Sequence, residues 1–82
     1  MWLEFTGAVL RYLVKSRRFG FEALIQRFER IAQAPRLYPS VEYIQEGYRR
    51  SVCGVDSIYY RVNGSVVEIM RVLGRQDTDE NL

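Results

Sequence analysis

Residues 56–77 read DSIYYRVNGSVVEIMRVLGRQD. Two runs rich in β-branched and aromatic residues, 57–62 and 65–73, flank Asn63-Gly64. Asn and Gly both tolerate positive φ, and a two-residue Asn-Gly loop has the twist of the strands it joins, so this stretch predicts a tight antiparallel hairpin. The loop also sets the register. Val62 then faces Ser65, Arg61 faces Val66, Tyr60 faces Val67, Tyr59 faces Glu68, Ile58 faces Ile69 and Asp56 faces Arg71. One face carries Ile58, Tyr60, Val62, Val67 and Ile69 and is the candidate core. The other carries Tyr59, Arg61, Val66, Glu68, Met70 and Val72. It mixes charge with apolar side chains and reads as half exposed or covered by a partner. Asp56 and Arg71 read as a salt bridge at the open end of the hairpin.

Moving towards the N-terminus, Gly47 opens a further strand over 48–52, and Cys53-Gly54-Val55 turns the chain into the hairpin. Upstream lies the clearest helix, 21–34. Phe21, Leu24, Ile25, Phe28, Ile31 and Ala32 recur with the helical period as one apolar stripe. Glu22, Gln26, Arg27, Glu29, Arg30 and Gln33 fill the opposite side. Pro35 and Pro39 end it, because the residue before a proline is pushed out of helical dihedrals. Residues 35–47 form an irregular connection that Tyr38, Val41, Tyr43 and Ile44 draw across the core. Residues 2–16 show a mixed helical period, with Leu3, Leu10, Leu13 and Val14 on one face and Trp2, Phe5 and Val9 widening it. Gly7 weakens that helix by up to about 1 kcal/mol. A break follows over 16–20, and residues 78–82 form a polar end. The order helix, helix, strand, strand, strand predicts one α+β domain over 1–82. A helical hairpin (1–34) packs on a small antiparallel sheet of about three strands (48–77).

Composition narrows the chemistry. Eighty-two residues, 48% hydrophobic and 27% charged, are ordinary for a small soluble domain. A net charge of +2 is too weak by itself to point to nucleic acid. Eleven of the twelve basic residues are Arg, the side chain suited to bidentate contact with carboxylate or phosphate. Cys53 is the only cysteine and there is no histidine. Those facts exclude an intrachain disulfide framework, a cysteine metal cluster, a zinc site and a serine–histidine triad. No cofactor is expected. No apolar run approaches the roughly 18 residues of a membrane span. Glu4 and Arg11 interrupt the N-terminal apolar stretch, which argues against a signal peptide and for a cytoplasmic protein.

Arg49, Arg50, Arg61, Arg71 and Arg75, with Tyr48, Tyr59 and Tyr60, have the chemistry to line a phosphate-binding cleft: arginine stabilises developing charge and tyrosine stacks on bases or moves a proton. A nuclease at neutral pH also needs a general acid and base of suitable pKa. With no histidine and Lys15 the only lysine, Glu68 or Glu46 would have to serve, and nothing in their spacing selects either. The competing reading makes the arginines a solvated surface, Tyr59 and Tyr60 strand packing, and Cys53 a small turn residue.

The ordered segments Pro35-Arg36-Leu37-Tyr38-Pro39, Gly47-Tyr48-Arg49-Arg50, Ile58-Tyr59-Tyr60-Arg61-Val62 and Val67-Glu68-Ile69-Met70-Arg71-Val72-Leu73-Gly74-Arg75-Gln76-Asp77 resemble the ParE branch of the RelE/ParE toxin superfamily. The resemblance covers about residues 28–82, and its Arg-Val-Leu-Gly-Arg-Gln-Asp ending is the most specific part. It implies a toxin of a bacterial type II toxin–antitoxin module, built as a helical hairpin on a small antiparallel sheet. Toxins of the ParE kind poison DNA gyrase and block replication. Their RelE relatives cut messenger RNA in the ribosome, often with a C-terminal histidine or tyrosine. Gly74 and Gln76 stand where that histidine would be sought, which favours the ParE reading, with a cognate antitoxin and gyrase as protein partners. Arg49, Arg50, Tyr59, Arg61, Met70, Arg71 and Arg75 are the partner-binding candidates. The alternatives are a ribosome-dependent endoribonuclease and an inactive remnant that still binds antitoxin. Family members begin with a strand and carry an Ile-Trp-x-Tyr-like patch and a Phe/Trp-Gly turn. Trp2, Phe5 and Phe19-Gly20 echo these at a different spacing. The expectation is therefore a shortened or rearranged N-terminus, with no leading strand and an open sheet edge for an antitoxin strand.

Overall fold

The computed structural model describes residues 1–15 and 20–74. Its elements are β1 (Trp2–Phe5), α1 (Gly7–Lys15), α2 (Phe21–Gln33), β2 (Arg49–Cys53), β3 (Asp56–Asn63) and β4 (Val66–Gly74). α2 forms where its apolar stripe predicts: Leu24, Phe28, Ile31 and Ala32 are buried. Gly20 caps it in the left-handed region at φ 73°, a conformation a side chain would resist. Ala34, ahead of Pro35, has already left helical dihedrals at φ −143°, ψ 70°.

The strands form one four-stranded sheet in the order β1-β4-β3-β2. β2–β3 and β3–β4 are antiparallel, whereas β1 runs parallel to β4, from Trp2↔Val66 to Phe5↔Ile69. The sheet thus has four strands, not three, and is mixed. The expected absence of a leading strand is overturned by β1. Residues 2–16 are a strand and a helix fused at Thr6, and reading both with one helical period hid the strand. Within β1 the period is two: Trp2 and Glu4 are exposed, while Leu3 and Phe5 lean on the core. Thr6 makes the junction. Its hydroxyl accepts the Val9 N–H at 3.3 Å, the bond of an N-cap, and donates to the Met70 carbonyl at 2.9 Å. Gly7 stands at the helix's first position, so the cost of a mid-helix glycine does not arise.

The hairpin forms, with a loop one residue later than predicted. Asn63 pairs with Val66, leaving Gly64-Ser65 as the two-residue turn. Gly64 has φ 62°, and no described non-glycine residue has positive φ, the sign pattern of a type II′ turn. An Asn63-Gly64 loop would have needed Asn63 at positive φ. The register moves by two, so faces are preserved through Val62↔Val67 and Tyr60↔Ile69. Between Ile69 and Arg71 the register then slips, because Met70 is an extra residue on β4. Beyond it Tyr59 faces Arg71, Ile58 faces Val72 and Asp56 faces Gly74. Val72 is thereby carried onto the core face, and Arg71 onto the opposite one. Asp56, on the core face, accepts a hydrogen bond from the Tyr12 hydroxyl. The expected Asp56–Arg71 salt bridge is overturned, since the bulge puts the two side chains on opposite faces.

Both helices pack on one face. Val9, Leu13, Leu24, Phe28 and Ile31 meet Ile58, Tyr60, Val67, Ile69 and Val72, as the stripe predicts. The Phe5 and Phe28 rings meet edge to face at 5.2 Å. On the other face the connection before β2 folds over the sheet and buries Val41 with Tyr59 and Leu73. Tyr60 is fully buried and donates to the Pro35 carbonyl at 2.5 Å. Burial pushes its pKa up to about 12, outweighing the opposing pull of the Arg49 charge.

Phe28→Ala is expected to cost roughly 3–5 kcal/mol in a urea titration, enough to unfold much of a domain this small. Thr6→Ala is expected to cost about 1–2 kcal/mol, and Thr6→Ser to recover most of it. Tyr60 keeps its proton when folded up to about pH 12, but the unfolded chain loses it near pH 10. Its contribution is therefore intact below pH 10 and lost as pH rises through 12. Stability measured across that window should fall less steeply in Tyr60→Phe than in the parent, by up to about 1.4 kcal/mol per pH unit.

Candidate protein-binding face

The side of the sheet away from the helices has two parts. Around Tyr59 it is closed. Val41, Ile44, Tyr48 and Leu73 pack on that ring, and the Arg50 guanidinium lies 6.0 Å from its centroid. The Arg50 Nη1 donates to the Tyr59 hydroxyl at 3.5 Å, the leading cause of the raised Arg50 pKa. The covering loop is tied down by backbone bonds from Val41 N–H to Tyr48 O (2.8 Å) and from Arg50 N–H to Pro39 O (3.0 Å).

Towards the hairpin turn the face is open. Arg61 and Glu68 lie opposite each other on β3 and β4 and form an ion pair at 2.5 Å, with Arg61 about half exposed. The bond to Glu68 raises the Arg61 pKa. Glu4 stands beside Glu68 on the parallel strand, and Trp2 is 67% exposed. A shallow groove of about 270 Å³ runs between Glu4–Thr6 and Met70, with Arg61 and Glu68 on its wall. Arg71 is exposed and borders two further hollows. One is shared with Ile44, Gln45 and Tyr48, the other with α1.

The structure separates the predicted site residues. Arg50, Arg61 and Arg71 share this face, and Met70 lines its open groove. Tyr59 belongs to the same face but is completely buried under the chain's own loop, so it is not the exposed apolar contact expected. Val72, expected beside it, lies in the opposite core. Arg49 falls on the core side, opposite Tyr60. Its Nη1 donates to Tyr38 O at 2.7 Å, so it holds the loop after α2. Arg75 lies outside the described residues. Cys53 is buried at the end of β2, with its thiol 3.6 Å from the Ala23 carbonyl. Arg27, read only as part of a polar helix face, donates to Ser51 Oγ at 2.8 Å and Val52 O at 2.6 Å and ties α2 to β2. Among the described residues no cluster of three or more His, Cys, Asp or Glu is placed to hold a metal ion.

No protein-family model matches the chain. Toxin ParE1 from two strains of Mycobacterium tuberculosis is 38% identical over 56 residues, covering 66% of this chain and 57% of the relative. The chain therefore spans little more than half the length of the curated relatives it matches. Over those 56 residues the chain is similar to a ParE toxin, and this similarity stands beside the ordered motifs of residues 35–77 and the two helices packed on a small sheet.

Proposed function

We propose that the chain is the toxin component of a bacterial type II toxin–antitoxin module, that it inhibits DNA gyrase by binding it, and that a cognate antitoxin neutralises it. The observation that carries this reading is the 38% identity to a protein named as a ParE toxin. Binding rather than catalysis is favoured by the state of the groups a nuclease would use. Tyr60 is bonded to a carbonyl, with its pKa raised to about 12. Tyr59 is sealed from solvent, and Glu68 is engaged by Arg61. Arg50, Arg61, Met70 and Arg71 are left as the contact residues, a set suited to docking on an acidic protein surface. A gyrase inhibitor acts in the cytoplasm, and no helix among the described residues is long and apolar enough to cross a membrane.

Pulse labelling after induced expression tests the reading. Thymidine incorporation is expected to stop before methionine incorporation, and co-expression of the neighbouring antitoxin gene to restore both. Arg71→Glu is expected to delay the arrest. Translation stopping first would replace this reading with a ribosome-dependent ribonuclease. An induced, folded protein that stops neither would mark an inactive remnant.

A further inference from the structure

The arginines differ in what holds them. Arg61 has Glu68, whereas Arg27, Arg30, Arg36 and Arg49 are in no ion pair among the described residues. All four lie on the helix side of the sheet, where the second half of α2 and the loop after it meet β2. Arg27 reaches from α2 to Ser51 Oγ and the Val52 carbonyl, and its guanidinium carbon lies 5.7 Å from the centre of the Tyr38 ring. Arg49 donates to the carbonyls of Tyr38 at 2.7 Å and Arg36 at 3.4 Å. These bonds to neutral oxygens hold two guanidiniums in place without cancelling their charge. Arg30 follows Arg27 by three residues, about 4.5 Å along the helix axis. Arg30 and Arg36 are exposed, and their side chains bond to nothing among the described residues. The carboxylates of α2, Glu22 and Glu29, lie roughly 140–160° round the helix from Arg27, so charge on α2 is segregated.

We propose that these four arginines form a second contact surface, one that holds the phosphate backbone of duplex DNA. The inference rests on the gyrase reading above for the source of the duplex, since gyrase works on DNA and a chain docked on it meets both. Three observations select this occupant. The guanidiniums of Arg27 and Arg49 are fixed in advance, each through Nη1 alone, and a planar guanidinium presents further donors to phosphate oxygens in pairs. The surface also has little apolar content. Leu37 is exposed, but one side chain does not make the apolar centre that an acidic protein partner would cover. Single-stranded nucleic acid binds by stacking its bases on aromatic faces. Tyr38 is the aromatic residue at this surface, and its ring is already taken by Arg27 and by the edge-to-face contact with Tyr60. What is left is charge for a backbone, a contact without base readout. A second copy of the chain docked symmetrically here would set these cations against their own images.

The test is fluorescence anisotropy of the full chain with a labelled DNA duplex of mixed sequence, across a range of salt. Four neutralised phosphates predict a slope of log K against log salt near −3.6, a loss of about 150-fold in affinity between roughly 50 and 200 mM. The Arg30→Gln, Arg36→Gln double variant removes two charges and no bond within the chain. Shown by circular dichroism to be folded, it should bind at least about tenfold more weakly at low salt, with a slope near −1.8. An Arg11→Gln, Lys15→Gln variant has the same net charge but alters α1 instead, and it should keep the parent's affinity to within about twofold. The proposal is overturned by absence of salt-dependent duplex binding, by undiminished binding to the folded Arg30, Arg36 variant, or by an equal loss in the α1 variant. Tighter binding of oligothymidylate overturns it in favour of single strands. Competition by polyglutamate as effective as that of duplex, at equal charge, overturns it in favour of an acidic protein. Replication arrest by a chain that binds no duplex would sink this inference alone. Salt-dependent duplex binding by a chain that never arrests replication would sink the gyrase reading alone.

Discussion

A single extra residue on one strand controls the architecture. Met70 has no counterpart on β3, and its carbonyl, turned out of the ladder, is taken by the Thr6 hydroxyl. A bulge strengthens local twist and re-aims the side chains beyond it. Here it sends Val72 into the helix-packed core and Leu73 to the opposite face against Tyr59. Without it β4 would present Leu73 to the helices and Val72 to the loop. The same Thr6 ends β1 and starts α1, so strand pairing, helix initiation and bulge geometry share one side chain. The slip also sets the buried Asp56 carboxylate opposite Gly74, where the Tyr12 hydroxyl donates to it.

The hairpin was legible because β-branched runs around a turn signal have few other solutions. The turn itself was not, for a reason that lies in the dihedrals. Asn-Gly and Gly-Ser overlap in this chain, and both make two-residue loops. They differ in whether Asn63 must adopt positive φ, which costs a non-glycine residue more than Gly64. The shift is by two, so it leaves each side chain on its face, which is why Ile58, Tyr60, Val67 and Ile69 were placed correctly from the wrong loop. The bulge shifts by one, and a slip of one exchanges faces. The Asp56–Arg71 pairing failed there. No local pattern announces Met70 as the unpaired residue, because the bonds that hold it come from Thr6, sixty-four residues away.

The candidate site was legible in its charges and not in its burial. Arg50, Arg61 and Arg71 follow from strand alternation once the bulge is known. Tyr59 does not: an aromatic residue on the second face of a hairpin looks the same in sequence whether a partner or the chain's own loop covers it. The loop supplies Val41, Ile44 and Tyr48, and only its backbone bonds to β2 bring them there. α1 was missed as a basic flank because its start was misplaced. Once Thr6 is the cap, Arg11 and Lys15 stand one turn apart in a nine-residue helix.

The two ends of the sheet are treated differently. An exposed strand edge invites pairing, and proteins block it with charge, proline or a covering segment. At β2 all three operate. Pro39 accepts the Arg50 N–H, Ser40 bridges to Arg49, and Arg27 from α2 reaches over to the Val52 carbonyl. At the other end β1 is only four residues long and carries an exposed Glu4, which discourages further pairing on that strand. The blockade at that end stops with β1. β4 is more than twice as long as its neighbour, and the turn at Thr6 into α1 ends the cover half-way along it. The cations of α1 line the hollow beyond that point. Like-charged neighbours repel another copy of the same edge, so they discourage self-pairing.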